Sequence, residues 1–373
     1  MKLVIYGAQG YALATYEALR TIYPKREVMC FLVSERGNNA HELGGLPVRE
    51  IAEFSDGLTE ADKNDVEILI ATPDGVMAEI EETLERYGFS AYRRLDSPRS
   101  DDLMKLYHAR IGRFMPLEAL PVGCTRPELN IYMAKSHKDR ALKEPQLLPG
   151  YIHPLQVGAA NTDMRIDALT DDTGDNISER NVNYSEISGL YWVWKNRLSA
   201  ANDTDEQTVT ERASDNDEKL YYGLAQYRRM FVFTEDDLSR LVGNDVDVVL
   251  PWPLLYEPDI NAHHERYLKD GDWQAMLTAL RRLQPEYADA FGKILGQRYM
   301  YNYNVILAKK QVLIDYCEWL FPILMLTEEL TVPKGSERAD RYIGYMAEIL
   351  ETLYFMHNAE RLNIVHKGCR LFV

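Results

Sequence analysis

Apolar positions fall in short runs separated by helical spacings, and the alternation is clearest at the start of the chain. Lys2 to Tyr6 is an apolar strand pattern, Gly7-Ala-Gln-Gly10 breaks it, and Leu13, Tyr16, Ala18 and Leu19 then recur at helical intervals as far as Ile22. Further strands are predicted over Glu27–Val33 and Val66–Ala71, the latter leading through the turn Pro73-Asp74-Gly75 into a helix over Val76–Tyr87. Strands that alternate with helices in this way build a small parallel sheet covered on its faces. A helix is predicted from Ser97 to about Phe114, and Pro116, Pro121, Gly123 and Pro127 then mark a linker. The α/β pattern restarts at Asn130–Ala134, followed by the polar turn that carries Lys135 and His137. The expected division is therefore a domain over 1–100, a helix and linker over 101–128, and a second domain over 129–373.

The second half has more varied patterns. Ile187, Leu190, Tyr191 and Trp194 make one apolar helical face, and Ser188, Trp192, Lys195 and Asn196 share the neighbouring one. A Trp beside a Lys and an Asn suits a ring stacked on the indole and an anion met by the ammonium; a half-buried Trp and a solvated Lys is the plainer reading. Ala200 to Lys219 is acidic, nearly free of apolar residues and without period, as in a surface loop. Leu220 to Phe233 is expected as one aromatic strand, on which Arg228 and Arg229 point to opposite faces.

Composition narrows the class. The 373 residues carry 42 Lys plus Arg against 58 Asp plus Glu, a net charge of −16, which opposes nucleic-acid binding through phosphate contacts. Four scattered cysteines suggest neither a zinc site nor a disulfide framework, so a reducing cytosol is expected. The longest apolar stretch near the C-terminus, Trp319–Leu326, is too short to span a bilayer and reads as core. The tail Arg361–Val373 suits either peripheral contact with the inner membrane face or a terminal strand.

Candidate chemistry is spread along the chain. Gly7-x-x-Gly10 is an incomplete dinucleotide fingerprint, equally a bare turn. Gly158 lies in the stretch Tyr151-Ile-His-Pro-Leu-Gln-Val-Gly158, and Asp172, Thr173, Asp175 and Asn176 form a loop rich in acceptors that suits ribose hydroxyls or a cation, or simply an Asx-turn cluster. Asp245-Val-Asp247 precedes a strand where a metal-holding Asp-x-Asp should end one. Adjacent His263 and His264 point about 100° apart on a helix and do not easily share an ion. Asp272 reads as a helix N-cap or as a base, and Arg341, Tyr345 and Glu348 align on one helical face.

Val4-Ile-Tyr-Gly7-Ala-Gln-Gly10, Gly45-Leu-Pro-Val48 and Ile68-Leu-Ile-Ala71-Thr72 resemble the N-terminal nucleotide-sugar-binding domain of bacterial sugar acyltransferases, without the β-helix domain that follows there. Asp172-Thr-Gly-Asp175-Asn-Ile-Ser178, Tyr184-Ser-Glu186 through Trp194-Lys-Asn196, Tyr227-Arg-Arg229, Asn304 and Tyr316 to Phe321 resemble a capsular and exopolysaccharide glycosyltransferase family, long catalogued as a domain of unknown function with galactofuranosyltransferase members. In that family His precedes the Tyr-Arg-Arg block; Gln226 stands there in this chain. The resemblance implies a Rossmann-like parallel-sheet domain followed by a GT-A-like α/β domain, a UDP-sugar donor, and a glycan or lipid-linked acceptor.

On that implication Lys135, His137, Gly158, Asp172, Thr173, Asp175 and Asn176 hold the nucleoside, beside Trp192 and Asn196. Lys195 with Arg228 or Arg229 neutralises the diphosphate; if these suffice no metal is required, and Mn or Mg stays open as a cofactor that no convincing Asp-x-Asp indicates. Tyr227 and Asn304 meet the acceptor, and Asp272 or Glu348 is the base of an inverting transfer. Two other classes stand beside it: an NAD-dependent sugar dehydrogenase or epimerase using the first turn, and a non-catalytic nucleotide-sugar binder.

Overall fold

The computed structural model describes residues 2–142, 147–199 and 219–372, so the acidic stretch 200–218 lies outside the described residues. The first sheet is built from β1 (Lys2–Tyr6), β2 (Val28–Val33), the hairpin β3 (Glu42–Leu43) and β4 (Leu46–Glu50), β5 (Val66–Ile70) and β6 (Tyr92–Arg94), in the order β3-β4-β2-β1-β5-β6. All pairs except the β3–β4 hairpin are parallel. Val4, Ile5 and Tyr6 of β1 are buried, as a parallel strand covered on both faces requires. Helices α1 (Gly10–Ile22) and α5 (Ser97–Ile111) cover one face; α2 (Ile51–Asp56) and α4 (Asp74–Arg86) cover the other, and α3 (Glu60–Asn64) lies at the edge before β5. Asp96, one residue before the expected start of α5, is its cap, accepting from the Arg99 N–H at 3.1 Å.

The second sheet runs β8 (Ile152–Gln156), β7 (Glu128–Lys135), β9 (Leu220–Gln226), β14 (Ile306–Lys309), β11 (Val248–Leu250), β15 (Ile364–His366). β14 is antiparallel to both of its neighbours, whereas the other pairs in this series are parallel. The chain is thus a Rossmann-like parallel-sheet domain followed by a GT-A-like α/β domain. Leu220–Phe233 is not one strand: the chain reverses at Tyr227-Arg228, pairing Gln226 with Arg229, and β10 (Arg229–Phe231) continues onto β16 (Cys369–Leu371). The tail therefore supplies two strands, β15 and β16.

Helices α6 (Asn181–Tyr184) and α7 (Ile187–Val193) pack on this sheet, α7 continuing as a π turn over Trp194–Leu198. Beyond them lie α8 (Glu235–Gly243), α9 (Ile260–His263), α10 (Asp270–Leu283), α11 (Pro285–Leu295), α12 (Lys310–Leu330) and α13 (Tyr342–His357). Trp319, Leu320, Phe321, Ile323 and Leu324 of α12 are buried, in the core role expected of that stretch. Among the described residues no helix is long and apolar enough to cross a membrane.

The two sheets share a packed seam. A short ribbon of β12 (Leu254–Leu255) and β13 (Tyr299–Met300) lies against α1. A Cβ on Gly10 would stand 2.8 Å from the Leu255 carbonyl oxygen, and one on Gly7, at φ +126°, would stand 2.5 Å from that of Ala71. Close approach thus demands both glycines, one for the turn itself and one for the second domain. Arg298 bridges Glu17 of α1 at 3.1 Å and Glu257 at 2.7 Å. Trp252 stacks between His108 of α5 and His366 of β15, with ring centroids 4.9 and 5.8 Å away, and donates to Asp101 at 2.6 Å.

Burial, with Arg113 as a lesser cause, lowers the His108 pKa to about 3; burial, with His108 beside it, does the same to His366. Both are therefore neutral in the fold but take up protons below about 6.5 when unfolded. Their contribution is complete above that pH and is lost as pH falls from about 6.5 toward 3, by up to about 1.4 kcal/mol per unit for each ring. Thermal melts from pH 7 to pH 4 should show His108→Phe with a shallower fall in Tm than the parent chain.

Candidate active site

A cavity of about 900 Å³ opens where the carboxyl ends of strands from both sheets converge. From the second sheet it receives Ala134 and Ser136–Asp139 at the end of β7, Val157 and Gly158 after β8, and Gln226 and Tyr227 at the end of β9. From the first it receives Gln9, Gly10 and Tyr11 after β1 and Pro73 after β5. In α/β sheets this is the edge where loops and helix starts are free to meet a ligand.

Two carboxylates lie in its wall. Glu186, between α6 and α7, accepts through Oε1 from Gln226 at 3.1 Å and Asn304 at 2.8 Å. Glu348 of α13 accepts the Tyr303 N–H at 2.9 Å and the Asn302 amide at 3.2 Å. Burial raises the pKa of both; for Glu348, burial first and the Glu186 charge second push it up to about 7. Glu351, one turn further along α13, is also raised by burial, then by the charges of Glu348 and Glu186.

The backbone around these groups is strained. Ser185, Tyr303, Asn304 and Arg341 are non-glycine residues at φ 52°, 79°, 50° and 62°. Cationic side chains complete the wall: Arg229, whose guanidinium lies 4.0 Å from the Tyr303 ring centroid, Arg266, which donates to Gln9 at 2.6 Å, and Arg341.

Of the residues picked out from sequence, His137, Gly158, Tyr227, Arg229 and Glu348 line this cavity, and Asn304 stands behind it, holding Glu186. Arg341 and Tyr345, expected on one helical face with Glu348, also line it, although Arg341 stands before α13 as its N-cap and not on the helix. Lys135 and Arg228 do not, and the Arg228 guanidinium lies over the Tyr227 ring at 5.2 Å. Arg228 and Arg229 are separated by the hairpin, which leaves one in the turn and the other starting β10.

The Asp172–Asn176 loop lies off the cavity, joined to α7 and the π turn. Asp172 pairs with Arg165 at 2.9 Å, while the Thr173 carbonyl and hydroxyl accept from the Trp192 indole at 2.9 and 3.1 Å. Asp175 accepts from the Tyr191 hydroxyl at 3.1 Å and exchanges backbone bonds with the Asn196 amide. Asn176 accepts the Ser178 N–H at 3.1 Å, closing an Asx turn. Trp192 is buried with its N–H engaged, and the Lys195 ammonium rests 3.5 Å from the Trp194 ring centroid, outside the cavity wall. Asp272 is not the cap of α10, whose N-cap is Lys269; it is buried against both terminal nitrogens of Arg338 at 2.7 and 2.8 Å, away from the cavity.

Three features escaped the sequence reading. Asp171, not Asp172, is the organising acid of its loop: it accepts from the N–H groups of Gly158 (3.0 Å) and Ala159 (3.1 Å), from Ser188 Oγ (2.8 Å) and from Ser178 Oγ. Glu186 lay inside a quoted block, the one acid before an apolar helix. Tyr256, Asn302 and Tyr303 had no distinguishing pattern. Among the described residues no group of three or more His, Cys, Asp or Glu is arranged to hold a metal ion. Asp245 and Asp247 both accept from Lys309. His263 stacks on Tyr256 at 3.7 Å and His264 on Trp273 at 3.8 Å, so the two rings face separate partners.

A family profile described as "Domain of unknown function (DUF4422)" matches residues 130–359. A solved structure, the WbbM bifunctional glycosyltransferase in its apo state, is 28% identical with a TM-score of 0.48, over 65% of this chain. This chain matches 45% of that chain's length. A mutant of perosamine N-acetyltransferase from Caulobacter crescentus, in complex with CoA and GDP-perosamine, is 12% identical with a TM-score of 0.19, over 42% of this chain and 66% of that one. No curated protein matches.

Asp171→Ala would leave two backbone N–H groups and two hydroxyls without their acceptor. The expected loss is about 3 kcal/mol in denaturant unfolding, the scale of buried bonds to a charged group.

Proposed function

This chain belongs to the DUF4422 family, and from the geometry of its cavity we propose that it is an inverting glycosyltransferase, moving a sugar from a UDP-sugar to a glycan or lipid-linked saccharide. The observation that carries the reading is Glu348, a carboxylate of near-neutral pKa, sharing a cavity at the strand ends with Arg229, Arg266 and Arg341. Glycosyl transfer needs those two elements together. The base takes the proton of an acceptor hydroxyl as its oxygen bonds to the anomeric carbon, while the bond from that carbon to the diphosphate breaks and UDP leaves with the electron pair. Cations stabilise the charge on that leaving group.

In this reading the turn Ser136–Asp139, with Gly158, Asn161 and Asn181, receives the nucleoside at the ends of β7 and β8. Gly158, at φ +66°, lies so close to Asn181 that a Cβ would stand 2.6 Å from its Oδ1. Arg229 and His137 face the diphosphate, Tyr227 borders the transfer point, and Asn304 acts from behind the wall by holding Glu186. Galactofuranose is the proposed sugar, on the resemblance of the Tyr-Trp-x-Trp-Lys-Asn and Tyr-Arg-Arg blocks. The dehydrogenase reading is disfavoured, because Leu255 closes on Gly10 where a pyrophosphate would need room.

With UDP-galactofuranose as donor, kcat/KM should rise about tenfold per pH unit up to about pH 7 and then level, because the base acts deprotonated. Glu348→Gln should lower turnover by roughly 10²–10⁴-fold and remove that limb; more than a tenth of parental activity would assign the base elsewhere. In titrations with UDP, Arg229→Ala should weaken binding by about tenfold and Lys195→Ala should leave it unchanged.

A further inference from the structure

The cavity has a second wall that transfer to a nucleotide-sugar alone does not use. Four rings follow one another along it: Tyr256 and His263 with centroids 3.7 Å apart, His263 and Tyr267 at 5.3 Å, Tyr267 and Tyr345 at 5.2 Å. All four line the cavity. Tyr267, 48% exposed, stands where the row reaches solvent. At the inner end the Tyr256 hydroxyl donates to Asn302 Oδ1 at 3.2 Å, and the same amide donates to Glu348 at 3.2 Å. The row therefore runs from solvent to the carboxylate.

Across from the rings stands the first domain. Gln9 and Tyr11 line the same cavity, and Gln9 is tied to Arg266, the residue before Tyr267, at 2.6 Å. Tyr11 donates its hydroxyl to the Leu95 carbonyl at 3.0 Å, which leaves its ring as the surface it offers. The cleft thus pairs aromatic faces with side-chain amides, and both kinds of group lead to one base.

A saccharide has the complementary surfaces. Its C–H faces are apolar and rest on aromatic rings, while its hydroxyl rim pairs with amides and carboxylates. An acyl chain would not call for Gln9 and Asn302. We infer that the first domain is a working half of the acceptor subsite: the Gln9–Tyr11 turn and the row Tyr256–His263–Tyr267–Tyr345 form the two walls of a saccharide cleft leading to Glu348. This rests on the transferase reading for the name acceptor, but the binding itself is independent of it.

The test is saturation-transfer NMR on the full chain with methyl galactofuranoside, methyl galactopyranoside and methyl mannopyranoside as probes, and titration with UDP on the same samples. Saturation should reach the C–H protons of at least one glycoside. Tyr267→Ala should weaken that binding by about fivefold, the size of one lost ring contact, and Gln9→Ala by about threefold, the size of one lost hydrogen bond. UDP affinity should be unchanged in Tyr267→Ala, whose altered side chain is exposed.

Saturation of none of the glycosides overturns the inference, as does binding indifferent to either substitution. Loss of UDP affinity in step with glycoside affinity in Tyr267→Ala also overturns it, by placing the wall in the donor site. UDP binding without glycoside binding removes the cleft and leaves the transferase reading standing. Glycoside binding that depends on Tyr267 and Gln9, without UDP binding, does the reverse.

Discussion

Everything at the cavity depends on keeping two carboxylates, Glu186 and Glu348, out of bulk water in one wall. A buried carboxylate is tolerated when donors replace its hydration or when it takes a proton. Here the donors come from Gln226 and from the segment Asn302–Asn304, two of whose residues are strained. Tyr303 at φ 79° turns its N–H onto Glu348, and Asn304 at φ 50° presents its amide to Glu186. Each such residue costs about 1–3 kcal/mol of backbone energy, which hydrogen bonds to charge offset. Burial first and the Glu186 charge second then push the Glu348 pKa up to about 7, and Glu351 behind it is raised in turn by burial and by the charges of the other two.

Gln226 links this pair to the strand ends. Its amide donates to Glu186 and to the Tyr303 carbonyl, and its oxygen accepts from Arg229 at 3.4 Å. An imidazole here, as the resemblance implies for the family, would bring a further titratable group into the network. The amide keeps the network the same at every pH, so the pH response passes to the carboxylates.

In the first domain β1, β2, β5, α1, α4 and α5 were legible because each buries its apolar positions with a regular period, Val4 to Tyr6 on two faces and Leu13 and Ala18 on one, whereas the short β3, β4, β6, α2 and α3 show no such period and were not read. The site was only partly legible, for reasons particular to its residues. Trp192, Lys195 and Asn196 have the right types and spacing for a ligand face. Helical spacing, however, does not say whether a face meets a cavity or a loop, and here the Asp172–Asn176 loop had already taken it. Glu186 and Asn304 are 118 positions apart, and Glu348 gains its donors from 45 and 46 positions away. Their meaning comes from pairings that no local pattern encodes. The hairpin at Tyr227-Arg228 escaped for a related reason: neither residue favours a turn, and the chain reverses because β16, at the far end of the sequence, is there to pair with β10.

The seam between the sheets explains why the first domain belongs to the site. Ligand edges of α/β sheets normally face solvent; here two face each other, and the ribbon β12–β13 fixes their separation. Gly10 can approach Leu255 only without a side chain, Arg298 ties α1 to Glu257, and the Tyr107 and Tyr299 hydroxyls meet at 2.9 Å. Trp252 anchors the far side of the joint between two neutral histidines. A glycine-rich turn that holds a phosphate elsewhere has here been used for contact between domains, and its neighbours Gln9 and Tyr11 are thereby held against the cavity. Without that contact the wall opposite Tyr256 and Tyr267 would be water, and the low-dielectric surroundings that raise Glu348 would be open on one side.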